Sequence, residues 1–210
     1  MTTFSTYLLK CPYCACLMYN YELTSYTVHN SVVYSDGKVE HSPFITFGER
    51  ILICDSCDKD FWIDDARIED DKINNDDLPQ AKDIYDLPIA LDENFSYKFC
   101  EHISTLLDNG FADNSDKETY LRLRLWHLLN DAKRAKKHSS LTALIKGNLG
   151  IFTRQLQFNK NNKKLEKEFR NIFASNLNRL ASIYPIENDD DRLMLAEMQR
   201  ELGEFELAKK

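Results

Sequence analysis

From Tyr19 to Ile63 the chain alternates short runs of β-branched and aromatic residues with turn formers, the pattern of strands. Tyr26-Thr27-Val28, Ser31-Val32-Val33-Tyr34, Phe44-Ile45-Thr46-Phe47 and Ile51-Leu52-Ile53 are the predicted strands, and Asp36-Gly37 between two of them predicts a tight hairpin. Residues Glu69 to Asp92 lose this pattern, are rich in Asp and Asn, carry Pro79 and Pro88, and read as a linker. Past that point the apolar period becomes helical. Phe95, Phe99, Ile103, Leu106 and Leu107 share one face, with Gly110 as the stop. A second helix opens at Ser115, with Glu118 placed to complete a capping box, and carries Leu121, Leu125, Leu128 and Leu129 on a stripe broadened by Leu123 and Trp126. A break at Lys146 to Gly150 is expected to interrupt a helix that starts near Leu141. Leu165, Phe169, Ile172, Phe173, Leu177, Leu180, Ile183 and Tyr184 mark another helix, closed by Pro185, and a last one begins after Asn188.

These elements give an α+β fold: a β-rich domain over 1–70, a linker over 71–92 and an all-α domain over 93–210. Two modest cores suit 210 residues, and the 43% hydrophobic and 11% aromatic content excludes disorder throughout. No segment approaches the roughly 20 apolar residues of a membrane span, and Met1–Lys10 lacks the features of a signal peptide. The expected compartment is the cytoplasm. Charge is divided unevenly: residues 1–90 hold 7 Lys and Arg against 16 Asp and Glu, whereas residues 91–210 hold 20 against 18. An acidic first half repels phosphate backbones, which weighs against nucleic acid as a partner.

Six cysteines in a reducing compartment are not a disulfide framework, so their spacing decides what they do. Cys11-Pro12-Tyr13-Cys14 and Cys54-Asp55-Ser56-Cys57 form two C-x-x-C knuckles with 39 residues between them. Each knuckle lets one tight turn aim two sulfurs at a point, and two such turns supply the tetrahedral thiolate set that zinc prefers. Cys11, Cys14, Cys54 and Cys57 are therefore the expected ligands of a structural Zn²⁺, with iron the chemical alternative for a four-sulfur site. Four thiolates fill the coordination sphere, so no catalysis is expected at the metal. Cys16 lies close enough to compete with Cys14, but it breaks the matched spacing and reads, like Cys100, as a small buried side chain. His29 and His41 read as ordinary strand or turn residues.

The knuckle pair with strands between resembles a zinc ribbon carrying an enlarged hairpin insertion. Cys-Pro-Tyr-Cys is also the motif of glutaredoxins, which makes dithiol redox chemistry at Cys11 and Cys14 an alternative. That family's cis-proline loop and glycine pair have no counterpart here. Leu193 to Ala208 looks like a tetratricopeptide repeat, with Leu195 and Ala196 in the first helix, Gly203 at the turn, Phe205 as the aromatic of the turn and Ala208 in the second helix. The order of parts resembles a bacterial family of unknown function in which a Cys₄ zinc ribbon with a long insertion precedes tetratricopeptide-like helices. Leu121-Arg122-Leu123-Arg124-Leu125-Trp126 stands where that family has its Leu-rich helix ending in Trp. Where its ribbons carry a glycine after a knuckle, this chain has Ala15 and Asp58.

No H-E-x-x-H, G-x-S-x-G, G-x-x-x-x-G-K or G-x-G-x-x-G is present. The acidic runs at Asp64-Asp65, Glu69-Asp70-Asp71 and Asp189-Asp190-Asp191 read as solvated edges or helix-start charge. Lys133-Arg134-Ala135-Lys136-Lys137 and Lys160 to Lys167 form either a phosphate-binding patch or, for the first, a solvated helix end. The expected function is that of a non-enzymatic, zinc-stabilised adaptor or scaffold, with a protein partner or self-association through the helices over an exposed C-terminal apolar strip. The alternatives are a nucleic-acid-binding ribbon and a glutaredoxin-like redox protein.

Overall fold

A computed structural model describes residues 3–42, 50–68, 78–83, 95–145, 167 and 169–209. Phe44–Phe47, Glu69-Asp70-Asp71, the Lys146–Gly150 break, Leu165 and most of Lys160 to Lys167 lie outside the described residues. The fold is α+β: among the described residues short antiparallel sheets come first and four helices follow. Two compact units result, one of residues 1–33 and 39–90, the other of 34–38 and 91–210.

In the β-rich unit, β1 (Thr3–Lys10) pairs antiparallel with β2 (Leu17–Ser25) in a register that sets Leu9 against Met18 and Lys10 against Leu17. A second hairpin joins β5 (Ile51–Ile53) to β6 (Asp60–Trp62), with Leu52 opposite Phe61. β7 (Arg67–Ile68) adds to the free side of β1, and β8 (Lys82–Asp83) to the free side of β5. β8 lies inside the stretch read from sequence as linker, and just before it Ala81 donates its N–H to the Tyr19 carbonyl and is buried. Composition hid this because a short edge strand is held by backbone hydrogen bonds, which Asp, Lys and Gln supply as well as valine does. Tyr26-Thr27-Val28, expected as a strand, falls instead between β2 and β3 (Asn30–Val33). Leu9, Cys11, Met18, Leu52, Cys54, Phe61, Ala66 and Ala81 form the core of this unit.

β3 pairs with β4 (Val39–Ser42) as the hairpin that Asp36-Gly37 predicted. Its loop is one residue longer than the tightest kind. Tyr34 N–H bonds to the Lys38 carbonyl, Gly37 N–H to the Tyr34 carbonyl, and Gly37 takes φ of 74°, the left-handed residue that such a loop requires.

In the helical unit, α1 (Phe95–Asp108) buries Phe99, Cys100, Ile103 and Leu106. It stops at Gly110, whose φ of 69° lets Phe111 N–H reach back to the Leu106 carbonyl. α2 (Ser115–Ile145) is capped one residue earlier than expected: Asn114 Oδ1 accepts from Lys117 N–H at 2.9 Å. Glu118 is thereby released from the expected capping box and binds Arg122 and Arg179 instead. α2 also runs unbroken past Leu141, so no separate helix starts there and Lys133 to Lys137 sit in mid-helix rather than at a helix end. Leu121, Leu125, Trp126 and Leu129 are buried, as their stripe predicts. A helix over 169–183 (α3) ends before Pro185, and α4 (Asp189–Leu202) begins with a reciprocal capping box between Asn188 and Asp191. Trp126, Leu177, Leu180 and Met198 form a fully buried cluster that joins α2, α3 and α4. Gly203, with φ of 83°, closes α4 as a left-handed cap. Met198 is the fully buried residue of α4, while Leu195 and Ala196 are half-buried.

Candidate metal centre

Each knuckle is the turn of a hairpin: Cys11 and Cys14 lie between β1 and β2, Cys54 and Cys57 between β5 and β6. The two turns repeat the same backbone pattern. Ala15 N–H bonds to the Cys11 carbonyl at 3.0 Å and Asp58 N–H to the Cys54 carbonyl at 2.9 Å. Cys11 N–H closes onto the Cys16 carbonyl at 2.9 Å, and Cys54 N–H onto that of Lys59 at 3.0 Å. Among the described residues, Ala15 (φ 60°) and Asp58 (φ 52°) are the non-glycine residues with positive φ. Both stand directly after the second cysteine of a knuckle, where the chain must reverse to bring the next amide onto sulfur.

Those amides act on the thiols. Tyr13 N–H points at Cys11 Sγ at 3.4 Å, and Cys54 receives the amides of Cys57 and Ser56. Cys14 receives the amide of Cys16, and Cys57 that of Lys59. Such donors favour the thiolate, the form that binds a metal. The Cys16 amide is the largest influence on Cys14, whose pKa falls to about 7. Burial dominates at Cys54, pushing its thiol up to about 12, and burial also raises Cys57. Crowded thiols of this kind cannot all ionise alone, and a divalent cation supplies the missing charge.

The sulfurs converge. Cys11 Sγ lies 3.8 Å from Cys57 Sγ, Cys14 Sγ lies 3.6 Å from Cys54 Sγ, and all four are within 4.8 Å of one another. A tetrahedron with metal–sulfur bonds of about 2.3 Å has sulfur–sulfur edges of about 3.8 Å, so the residues present fit a four-sulfur metal ion. The closest contacts also run between knuckles, far longer than the ~2 Å of a disulfide bond. Cys11 and Cys54 are buried in the core of the unit, while Cys14 is exposed. Lys59 Nζ sits 4.9 Å from the centre of the Tyr13 ring, a cation–π contact from one knuckle to the other.

The sequence named these four residues, and the fold brings them together. Cys16 stays outside the group: its thiol donates to the Leu17 carbonyl at 3.6 Å, and it serves the site through its backbone. His29 and His41 are also outside the group, and Cys100 is buried in the other unit. The sequence marked both positions only through the zinc-ribbon resemblance, whose knuckles carry glycine there; alanine and aspartate do not by themselves signal positive φ.

Two cations of the first basic run are paired. Lys133 Nζ reaches Glu201 Oε2 at 3.4 Å, and Arg134 pairs with Asp131 at 2.6 Å and Asp36 at 3.0 Å. Asp64 pairs with Arg50 at 2.9 Å, and Asp189 to Asp191 form the first turn of α4. Among the described residues no helix is long and apolar enough to cross a membrane. Comparisons with protein-family models, with curated proteins and with solved structures found no match to this chain.

Proposed function

We propose that the chain is a non-enzymatic interaction protein of adaptor or scaffold type, in which a zinc ion held by Cys11, Cys14, Cys54 and Cys57 fixes the β-rich unit and the helical unit offers the binding surface. The observation that carries the reading is the convergence of four sulfurs at tetrahedral spacing from two matched knuckles. Four thiolates occupy every position of the ion, which gives it a structural role and leaves none for substrate. Zinc is preferred over iron because it is the usual occupant of paired C-x-x-C hairpin knuckles. Leu193, Phe205 and Leu207 are exposed on α4 and the residues after it, as the expected apolar strip requires. They are the proposed contact with a protein partner.

Redox chemistry at Cys11 and Cys14 draws no support from the local fold. A glutaredoxin-like thiol needs a following helix, and here the motif runs into β2. Nucleic-acid binding draws less support where Lys133 and Arg134, two cations of the first basic run, are held in ion pairs.

The test combines elemental analysis with surface substitution. We expect one tightly held zinc per chain and a partner captured by the zinc-loaded wild type but released by Leu193→Asp with Phe205→Asp. Turnover of a thiol substrate, or capture indifferent to both substitutions, would overturn the adaptor reading.

A further inference from the structure

The turn Tyr34–Lys38 belongs to the helical unit, and its residues meet side chains of α2 and α4 there. Asp36 is fully buried; its Oδ2 accepts from Asn130 Nδ2 and from Arg134 Nη1, each at 3.0 Å. Its main-chain carbonyl accepts from His127 Nε2 at 2.9 Å. At Gly37 an added Cβ would lie 2.7 Å from Met194 Cε and closer still to its Sδ, so the methionine tip would have to shift, and the φ of 74° strains any residue but glycine. Lys38 Nζ pairs with Asp131 at 2.7 Å. The Arg134 guanidinium covers the Tyr34 ring at 4.2 Å, and Arg200, with the Ser35 side chain adding to it, holds the Glu197 carboxyl below its ordinary range.

The receiving residues are arranged as a recognition face. His127, Asn130, Asp131 and Arg134 recur at i, i+3, i+4 and i+7 of α2, one stripe of that helix, and Met194 and Glu197 come from successive turns of α4. Asn130 is itself only 5% exposed. Anchoring a hairpin by packing requires apolar contact only, whereas burying a carboxylate with an arginine and an amide carries a desolvation cost and gives specificity in return. A carboxylate, a carbonyl, an ammonium and an aromatic ring of the turn are all engaged, with Arg134 shared between the Asp36 carboxylate and the Tyr34 ring.

From this we infer that the α2–α4 face is a peptide-recognition site for a tight turn of the form Tyr-x-Asp-Gly-Lys, with the chain's own hairpin as its resident ligand. When the resident turn is weakened, the site takes the same turn supplied in trans.

The probe is a synthetic peptide with the sequence of Asn30–Ser42, titrated into the full zinc-loaded chain carrying Asp36→Ala. Binding to this variant is expected to exceed binding to wild type, whose site is filled, by about tenfold or more, the worth of one buried charge-assisted bond. Peptides carrying Asp36→Asn or Gly37→Ala should lose a similar factor, as should the double variant Asp36→Ala with Arg134→Ala. If Asp36→Ala loses helical circular dichroism, excess wild-type peptide should restore it where the Gly37→Ala peptide does not. Absence of both binding and restoration, or equal response to all three peptides, overturns the inference.

Discussion

Ala15 and Asp58 occupy a conformation that glycine adopts freely, and both side chains are exposed. Replacing either with glycine relieves the left-handed strain, and at Ala15 it removes only an exposed methyl group. Ala15→Gly should therefore stabilise the metal-bound β-rich unit by about 0.5–1 kcal/mol. Asp58→Gly should gain less, because aspartate tolerates this region better than alanine. Thermal unfolding of the zinc-loaded protein reads both, and a loss of stability in Ala15→Gly would contradict the strain argument. The four-cysteine cluster was legible because C-x-x-C spacing and thiolate chemistry are both local. The strain was not, because alanine and aspartate carry no mark of positive φ.

Helices were legible as elements and their ends less so. The α2 stripe of Leu121, Leu125 and Leu129 is plain in the sequence, yet its cap is Asn114 rather than Ser115, since either residue can accept from the first turn. The difference matters for Glu118. The hydrogen bond from Arg179 on α3 is the largest influence on it, and with help from Arg122 it lowers the carboxyl from 4.5 to about 2. A depressed pKa gives stability that is present above the unfolded value and is lost as pH falls toward the folded one. The nominal value is about 3 kcal/mol, reduced to about 1–2 kcal/mol by solvent screening at the half-exposed Arg179. Glu118→Gln should thus lower the melting temperature of the helical unit at pH 7, and the gap to wild type should close between pH 4.5 and 2. A gap unchanged at pH 2 would show that the α2–α3 ion pair contributes nothing. The strand β8 marks the opposite limit of sequence reading, because pairing through the backbone leaves no apolar pattern to find.

At the scale of the molecule, the change of period after the linker announced a β-rich part and a helical part. The membership of Tyr34–Lys38 in the helical unit was invisible, because the bond from Asn130 to Asp36 spans 94 residues of sequence. No local period encodes a contact of that range. Each unit has its own core, Leu9 to Ala81 in one and Trp126 to Met198 in the other. A strong chelator should therefore abolish the near-ultraviolet signal of the β-rich unit, whose folding draws on the order of 10 kcal/mol from metal binding, while most helical ellipticity at 222 nm persists. Simultaneous loss of both signals would mean that the units fold as one.

Metal content measured against thiol reactivity decides whether four thiolates hold one zinc ion. The protein purified without chelator should contain one zinc per chain, with Cys11, Cys14, Cys54 and Cys57 unreactive until the metal is removed, and cobalt in its place should give the absorption of a tetrahedral thiolate site. A chain that holds no metal when zinc is supplied, with these four thiols freely reactive in the folded state, would show that the four cysteines form no metal site.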